Sequence, residues 1–294
     1  MQEMLRRYGY GLTFIMSLLV AFWLLAMVVV PNIILLEFSF RPYLPMVDVG
    51  GPKDVYSFNN YLTFFTSPIH IEVFFKTVIY SSLVTGICLI ITYPLAYILS
   101  KVVKPTDAAT IFLMLLVPLW VSEILRSFAW FIILGNTGPL NALLLYVGLI
   151  EKPVRWIVNY QGVIFGLVYA YILFMLFPIY NAISALDTNQ IEASKDLGAG
   201  TIRTHWRVVI PHSKPGIASG CVMVFMLSAG SVIVPSTLAS TNSRWFTEVI
   251  QQWMFEGLDW QVGSAYAFLL LVLCIMFVSI VMRVLNVRLV DIAK

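Results

Sequence analysis

The chain has 294 residues, of which 60% are hydrophobic and 11% charged, with a formal net charge of +3. Soluble domains carry about 25% charged residues, so this composition excludes a soluble globular protein and requires lipid as solvent, as in a polytopic membrane protein. So small a net charge points to no nucleic-acid partner, and without any Gly-x-x-x-x-Gly-Lys-[Ser/Thr] the chain has no P-loop for ATP.

From the N-terminus, the first apolar run covers about 11–36, behind Arg6 and Arg7. It is longer than the ~7–15 residues of a signal-peptide core and lacks a clear small-residue cleavage site, so it reads as a retained signal anchor. Residues 37–71 form an irregular polar segment with Tyr56, Phe58, Tyr61, Phe64 and Phe65 interleaved as interface aromatics. A second span is expected over 72–100, with Pro94 near its inner end. The short loop 101–108 leads to a third span over 109–134, carrying Pro118, Trp120, Glu123, Arg126 and Trp130. The apolar middle of 135–161 is about eleven residues, too short for a bilayer that needs ~20, which places it at the interface or partly re-entrant. A fourth span over 162–186 contains Pro178, and a fifth over 217–239 contains Pro235. The Trp-bearing segment 240–262 precedes a sixth span over 263–285, and 286–294 is a short basic tail.

Lys and Arg set the expected orientation. Eleven lie on the side of the N-terminus, the 101–108 loop, the loop 187–216 and the tail, against five on the other side. Both termini and the central loop are therefore expected in the cytoplasm.

The central loop, 187–216, interrupts the apolar pattern with Lys195, Arg203, Arg207 and Lys214 and with Asp187, Glu192 and Asp196. Thirty idle residues are uncommon in compact protein, so the loop folds or binds something. Asp187 with Gln190 has the spacing of a capping box, and Gly198 is suited to end that helix. Thr201 is placed to cap a second helix that Pro211 ends, with Ile202, Trp206 and Val209 on one face and Arg203 and Arg207 on another. A plain interfacial connection between two spans is the alternative.

Glu192-Ala193-Ser194, then Gly198, then Val208, Ile210 and Pro211, resembles the EAA loop of ABC-importer permeases, with Ser194 in place of the second Ala. The resemblance implies a coupling helix that docks into a groove of a cytoplasmic ATPase through Glu192, Ala193, Ser194, Gly198, Arg203 and Pro211. It also implies an all-α, six-span fold of the type I importer kind. The N-terminal helix and outer segment would occupy 1–71, the five-helix permease core 72–285 and the cytoplasmic tail 286–294. The segments 118–130, 135–153 and Asp196 to Gly216 are most similar to spermidine/putrescine-type permeases of the first kind. That likeness implies a bacterial inner-membrane location and a small cationic solute, with a second related permease subunit, a periplasmic substrate-binding protein and an ATPase dimer as partners. ATP and Mg would be bound by the ATPase, with no cofactor in this chain. Permeases for opines, γ-aminobutyrate and other small charged solutes share these segments.

Charged groups at membrane depth are costly, about 2.5–3.5 kcal/mol each on insertion scales, which singles out Glu123 and Arg126. Three residues apart on a helix, they either pair with each other or with backbone carbonyls, or line the pathway, with Trp120 and Trp130 offering ring faces to a cation. Tyr169, Tyr171 and Tyr180 are pathway candidates by their hydroxyls, or packing residues. Cys88, Cys221 and Cys274 sit in apolar runs without CxxC spacing and read as packing. His70, His205 and His212 fall outside the apolar cores and form no metal triad. An ion-coupled transporter would need several intramembrane carboxylates and repeated spans, and an intramembrane enzyme a nucleophile–base or metal set. Neither pattern is present.

Overall fold

The computed structural model describes residues 2–45, 48 and 50–288, with the side chains of 2–8 and 105 excepted. The end of the expected tail, with Lys294, and the side chains of Arg6 and Arg7 lie outside that description. Every regular element among the described residues is helical. Six segments are long and apolar enough to cross a bilayer: Gly9–Phe40, Pro68–Val102, Glu123–Tyr146, Tyr160–Ser184, Thr201–Ala229 and Trp260–Leu285. The number agrees with the sequence reading, while the third and fifth differ in construction.

The expected helix over 109–134 is two half-helices, Pro105–Leu116 and Glu123–Leu134. Between them lie a 3-10 turn, Val117–Trp120, and extended backbone at Val121 and Ser122. Pro118 explains the break, because it has no N–H to donate and its ring crowds the carbonyl four residues back. Each half is only about 18 Å long, short of the ~30 Å hydrocarbon core. After a turn at 135–138 the chain forms the short helix Pro139–Tyr146. This segment is organised by the buried amide of Asn141, which donates to Val154 O (2.9 Å), Gly135 O and Asn136 O (both 3.2 Å). Its carbonyl accepts Val154 N–H and Trp156 Nε1–H, both at 3.1 Å.

The fifth span departs further from expectation. Pro211 does not end a separate helix. One helical run passes from Thr201 through a π turn, His205–Val209, and on through Ile210–Ala229. In the π turn Ile210 N–H reaches back five residues to His205 O. The extra residue widens the turn just ahead of Pro211, relieving the clash that closes an ordinary helix. It also breaks the 3.6-residue period, so Val209 is buried while Ile202 and Trp206 face outward rather than sharing its side. The run stops at Gly230 and resumes as the short helix Ile233–Leu238.

The chain divides into two units. The unit of Ile69–Val249 with Leu270–Lys294 has its core on the fourth and fifth spans, each half buried over its apolar window, against 6% for the first and sixth. Gly216 and Gly220, four apart on the fifth span, let the two backbones close. A Cβ at Gly216 would stand 2.4 Å from Pro178 O, and one at Gly220 2.6 Å from Met175 Sδ.

The other unit is Met1–Pro68 with Ile250–Leu269. Here the irregular segment is shorter than expected, because Asn59–Thr66 is helical and the second span begins at Pro68. Arg41 ties the loop back through Glu37 (2.6 Å) and Asp54 (2.8 Å), and the buried Asn60 amide donates to Ser39 O and Arg41 O. Of the five aromatics assigned to the interface, Phe64 is buried against Tyr266 and Tyr61 donates to Ser39 Oγ, while Tyr56, Phe58 and Phe65 are exposed.

Candidate functional site

Two local arrangements stand apart from packing. The first is the hairpin that follows the fourth span. Asp187 caps the helix Thr188–Asp196, accepting Asn189 N–H at 3.0 Å, while Gln190 contributes only its backbone N–H, to Asp187 O. Gly198 turns the corner at φ +80°, with its N–H on Lys195 O and Ala199 N–H on Ser194 O. That pair of bonds is a Schellman motif, and a left-handed φ is strained for any residue with a Cβ. The next helix is preceded by Gly200, and Thr201 is its first residue without acting as a side-chain cap.

Glu192, Ala193, Gly198, Arg203 and Pro211 are exposed. The Ser194 hydroxyl lies 3.1 Å from Thr204 Oγ1 and pins the two helices together. Leu197, Ile202 and Trp206 are 89%, 76% and 68% exposed. Leu197, Arg203 and Arg207 line a hollow of about 450 Å³ together with Ala193 and Ser194. An apolar patch rimmed by cations is built for contact with something outside the chain.

The second arrangement lies at membrane depth. Glu123 opens the half-helix after the first break, and Tyr171, buried near the middle of the fourth span, donates to its Oε1 at 2.8 Å. Arg126 is one turn further along. Among the described residues it makes no ion pair with Glu123, and its buried Nε has no hydrogen-bond partner. Ser231, in the break after Ala229, also has a buried hydroxyl outside ordinary hydrogen-bond geometry, and it and Arg126 lie near the Tyr171 hydroxyl. Two helix breaks and the middle of a third helix thus bring four polar residues together. Broken helices are tolerated at this depth where the freed backbone faces protein or a water-filled cavity.

The other pathway candidates separate. Trp130 meets Tyr169 edge-on at 5.5 Å and stacks over Phe165. Tyr180 packs on Phe112 at 4.9 Å, and Trp120 is 87% exposed. Ser231 was not singled out by sequence. The available signal was a Gly-Ser pair, Gly230-Ser231, inside an otherwise apolar stretch. Among the described residues no group of three His, Cys, Asp or Glu is placed to hold a metal.

A family model described as "Binding-protein-dependent transport system inner membrane component" matches residues 2–291. The chain belongs to this family. It is a multi-pass membrane permease, a transport component rather than an enzyme. The permease is 32% identical over 89% of its length to the spermidine/putrescine transport system permease protein PotB of Haemophilus influenzae, covering 90% of that protein. It is 33% identical to the PotB of Escherichia coli, over 83% of this chain and 86% of that one. Among solved structures, a chain of a bacterial ABC transporter involved in the import of alginate superposes with a TM-score of 0.73 at 17% identity, covering 97% of both chains. A chain of the MetNI methionine ABC transporter gives 0.55 at 16% identity, over 74% of this chain and 94% of that one. The fold is therefore that of type I ABC importer permeases.

At the end of the permease opposite the hairpin, where the fourth span begins, a hollow of about 510 Å³ is lined by Glu72, Lys76, Tyr160 and Arg244. Lys76 is paired with Glu72 at 2.5 Å and lies 5.8 Å from the Tyr160 ring, which stacks on Tyr80 at 4.0 Å.

Proposed function

We propose that this permease is one half of the membrane channel of an ATP-driven importer for a small cationic amine, with polyamines of the spermidine/putrescine kind first in line. The observation that carries the solute class is the identity of 32–33% to two PotB proteins over more than four-fifths of the chain. In this reading the hairpin 187–216 is cytoplasmic and docks on an ATPase dimer that binds ATP and Mg. A second, related permease completes the channel, and a periplasmic binding protein delivers the solute. The exposed Leu197, Ile202 and Trp206 supply apolar contact, while Glu192, Arg203 and Arg207 supply charge for register.

Closure of the ATPase pair would draw two such hairpins together and swing the bundles between inward-open and outward-open states. Solute would pass the Glu123–Tyr171 cluster, where the carboxylate attracts an ammonium, and the separate Trp130–Tyr169 pair would offer ring faces elsewhere on the path. One observation favours a second reading, an amino-acid-like solute such as an opine or γ-aminobutyrate. The Arg126 Nε–H without a partner beside Glu123 would suit a zwitterion.

The test is purification of the permease with its companion subunits, followed by uptake in proteoliposomes. ATP-dependent uptake of labelled spermidine is expected, together with loss of the co-purifying ATPase on Glu192→Lys or Gly198→Trp while membrane insertion persists. Uptake without any ATPase, or undiminished ATPase binding by both variants, counts against the proposal. Preference for a zwitterion over spermidine would favour the second reading.

A further inference from the structure

Beyond its apolar packing, the hairpin is tied to the bundle by two polar contacts that come from the same short stretch, residues 93–101 at the end of the second span. Tyr93 Oη lies 2.8 Å from His205 Nδ1, a hydrogen bond that either imidazole tautomer can satisfy. The His205 ring also packs edge-on against Tyr97, with centroids 4.4 Å apart. Eight residues beyond Tyr93, Lys101 Nζ donates to Leu186 O and to Ser184 O, the carbonyls left open where the fourth span ends and the hairpin begins. A lysine there satisfies orphan carbonyls and the negative end of the helix dipole together. One hold is at the root of the hairpin and the other lies past the Gly198 corner, so the second span grips both arms.

The helices deform most readily at these same places. Pro94 lies between Tyr93 and Tyr97, the second span ends in the π turn Ile98–Val102, and His205 opens the π turn His205–Val209. A π turn carries a surplus residue and weaker register, so it can bend without loss of the helix on either side. A rigid hairpin attached through two bendable joints transmits displacement rather than absorbing it.

We propose that residues 93–101 of the second span are the transmission element of the permease, with Tyr93, His205 and Lys101 as positioning residues that make the span travel with the hairpin. The inference rests on the reading of the hairpin as the ATPase-docking element, and specifies where its movement enters the bundle.

The test uses the complete importer in proteoliposomes and reads solute transported per ATP hydrolysed, alongside the amount of ATPase co-purified. Tyr93→Phe, His205→Phe and Lys101→Met are each expected to lower that ratio by about threefold to tenfold, the usual reach of a coupling residue, with the ATPase still bound. Lys101→Arg should restore most of the loss, because it can still donate to the same carbonyls, whereas a merely structural defect would lower expression and hydrolysis together. In a background freed of the native cysteines, Tyr93→Cys with His205→Cys joined by a short bifunctional thiol reagent should keep ATP-driven uptake, since the two positions move as one. An unchanged ratio in all three variants, or arrest of uptake by the cross-link, overturns the proposal. Absence of any ATPase from the unaltered complex would instead overturn the docking reading beneath it.

Discussion

Glu123 is held by a hydrogen bond from Tyr171, on another helix, and not by the arginine one turn along its own. A half-buried carboxylate with one neutral donor keeps an acceptor oxygen available to a passing cation. Tyr171→Phe removes that donor without opening a cavity, and should cost about 1 kcal/mol of stability, seen as a small drop in the thermal unfolding midpoint in detergent. Glu123→Gln keeps a carbonyl for Tyr171 to donate to while deleting the charge. For a cationic solute it should raise the KM of uptake by about tenfold, the scale of one charge-assisted hydrogen bond. An unmoved KM would remove Glu123 from the pathway and leave it a structural partner of Tyr171.

Between elements, the seam of the fourth and fifth spans depends on absent side chains more than on present ones. Gly216→Leu would force a side chain onto the Pro178 carbonyl, where even a Cβ stands at 2.4 Å. Backbone cannot give way as a side-chain tip can, so a loss of roughly 3 kcal/mol or more is expected, measured as reduced recovery of monodisperse protein on heating. The short helix Phe246–Gln251 shows a different dependence. Glu248 reaches back to Trp245 N–H at 2.7 Å, half of a capping box. Burial holds its carboxyl above the ordinary value of 4.5, against the opposing pull of that N–H and of Arg244. The folded chain therefore keeps this proton longer than the unfolded one. The stability it contributes is fully present below about pH 4.5 and is lost as pH rises through the folded value. Glu248→Gln should flatten that slope in a pH series of unfolding midpoints while retaining the capping bond.

At the scale of the whole chain, apolar surface is spent on lipid far more than on the interior. The first and sixth spans bury 6% of their apolar windows, which in water would be untenable and in a bilayer costs nothing. The same distribution makes the sidedness of the polar hairpin easy to test. The native Cys88, Cys221 and Cys274 are buried, so a new thiol at the exposed Leu197 should dominate labelling. A membrane-impermeant maleimide is expected to modify Leu197→Cys in inverted vesicles and not in intact spheroplasts. The reverse pattern would place the hairpin outside and end the docking proposal.

Six crossings and an all-helical fold were determined by composition and run length alone, because the bilayer admits few solutions to burying that many apolar residues. The Gly198 corner was legible for a similar reason, since a left-handed backbone position selects its residue locally. Partners and interruptions were not. A sequence scanned at a helical period assumes an unbroken helix, so it drew the third span as one crossing although Pro118 marked a break inside it, and it missed the π turn that carries the chain through Pro211. It offered Arg126 as one partner for Glu123 because they are neighbours on one helix, whereas the fold offered Glu123 a tyrosine from 48 residues away. Local chemistry specifies which groups need a partner; which group arrives depends on packing between distant segments, and that is settled only in three dimensions.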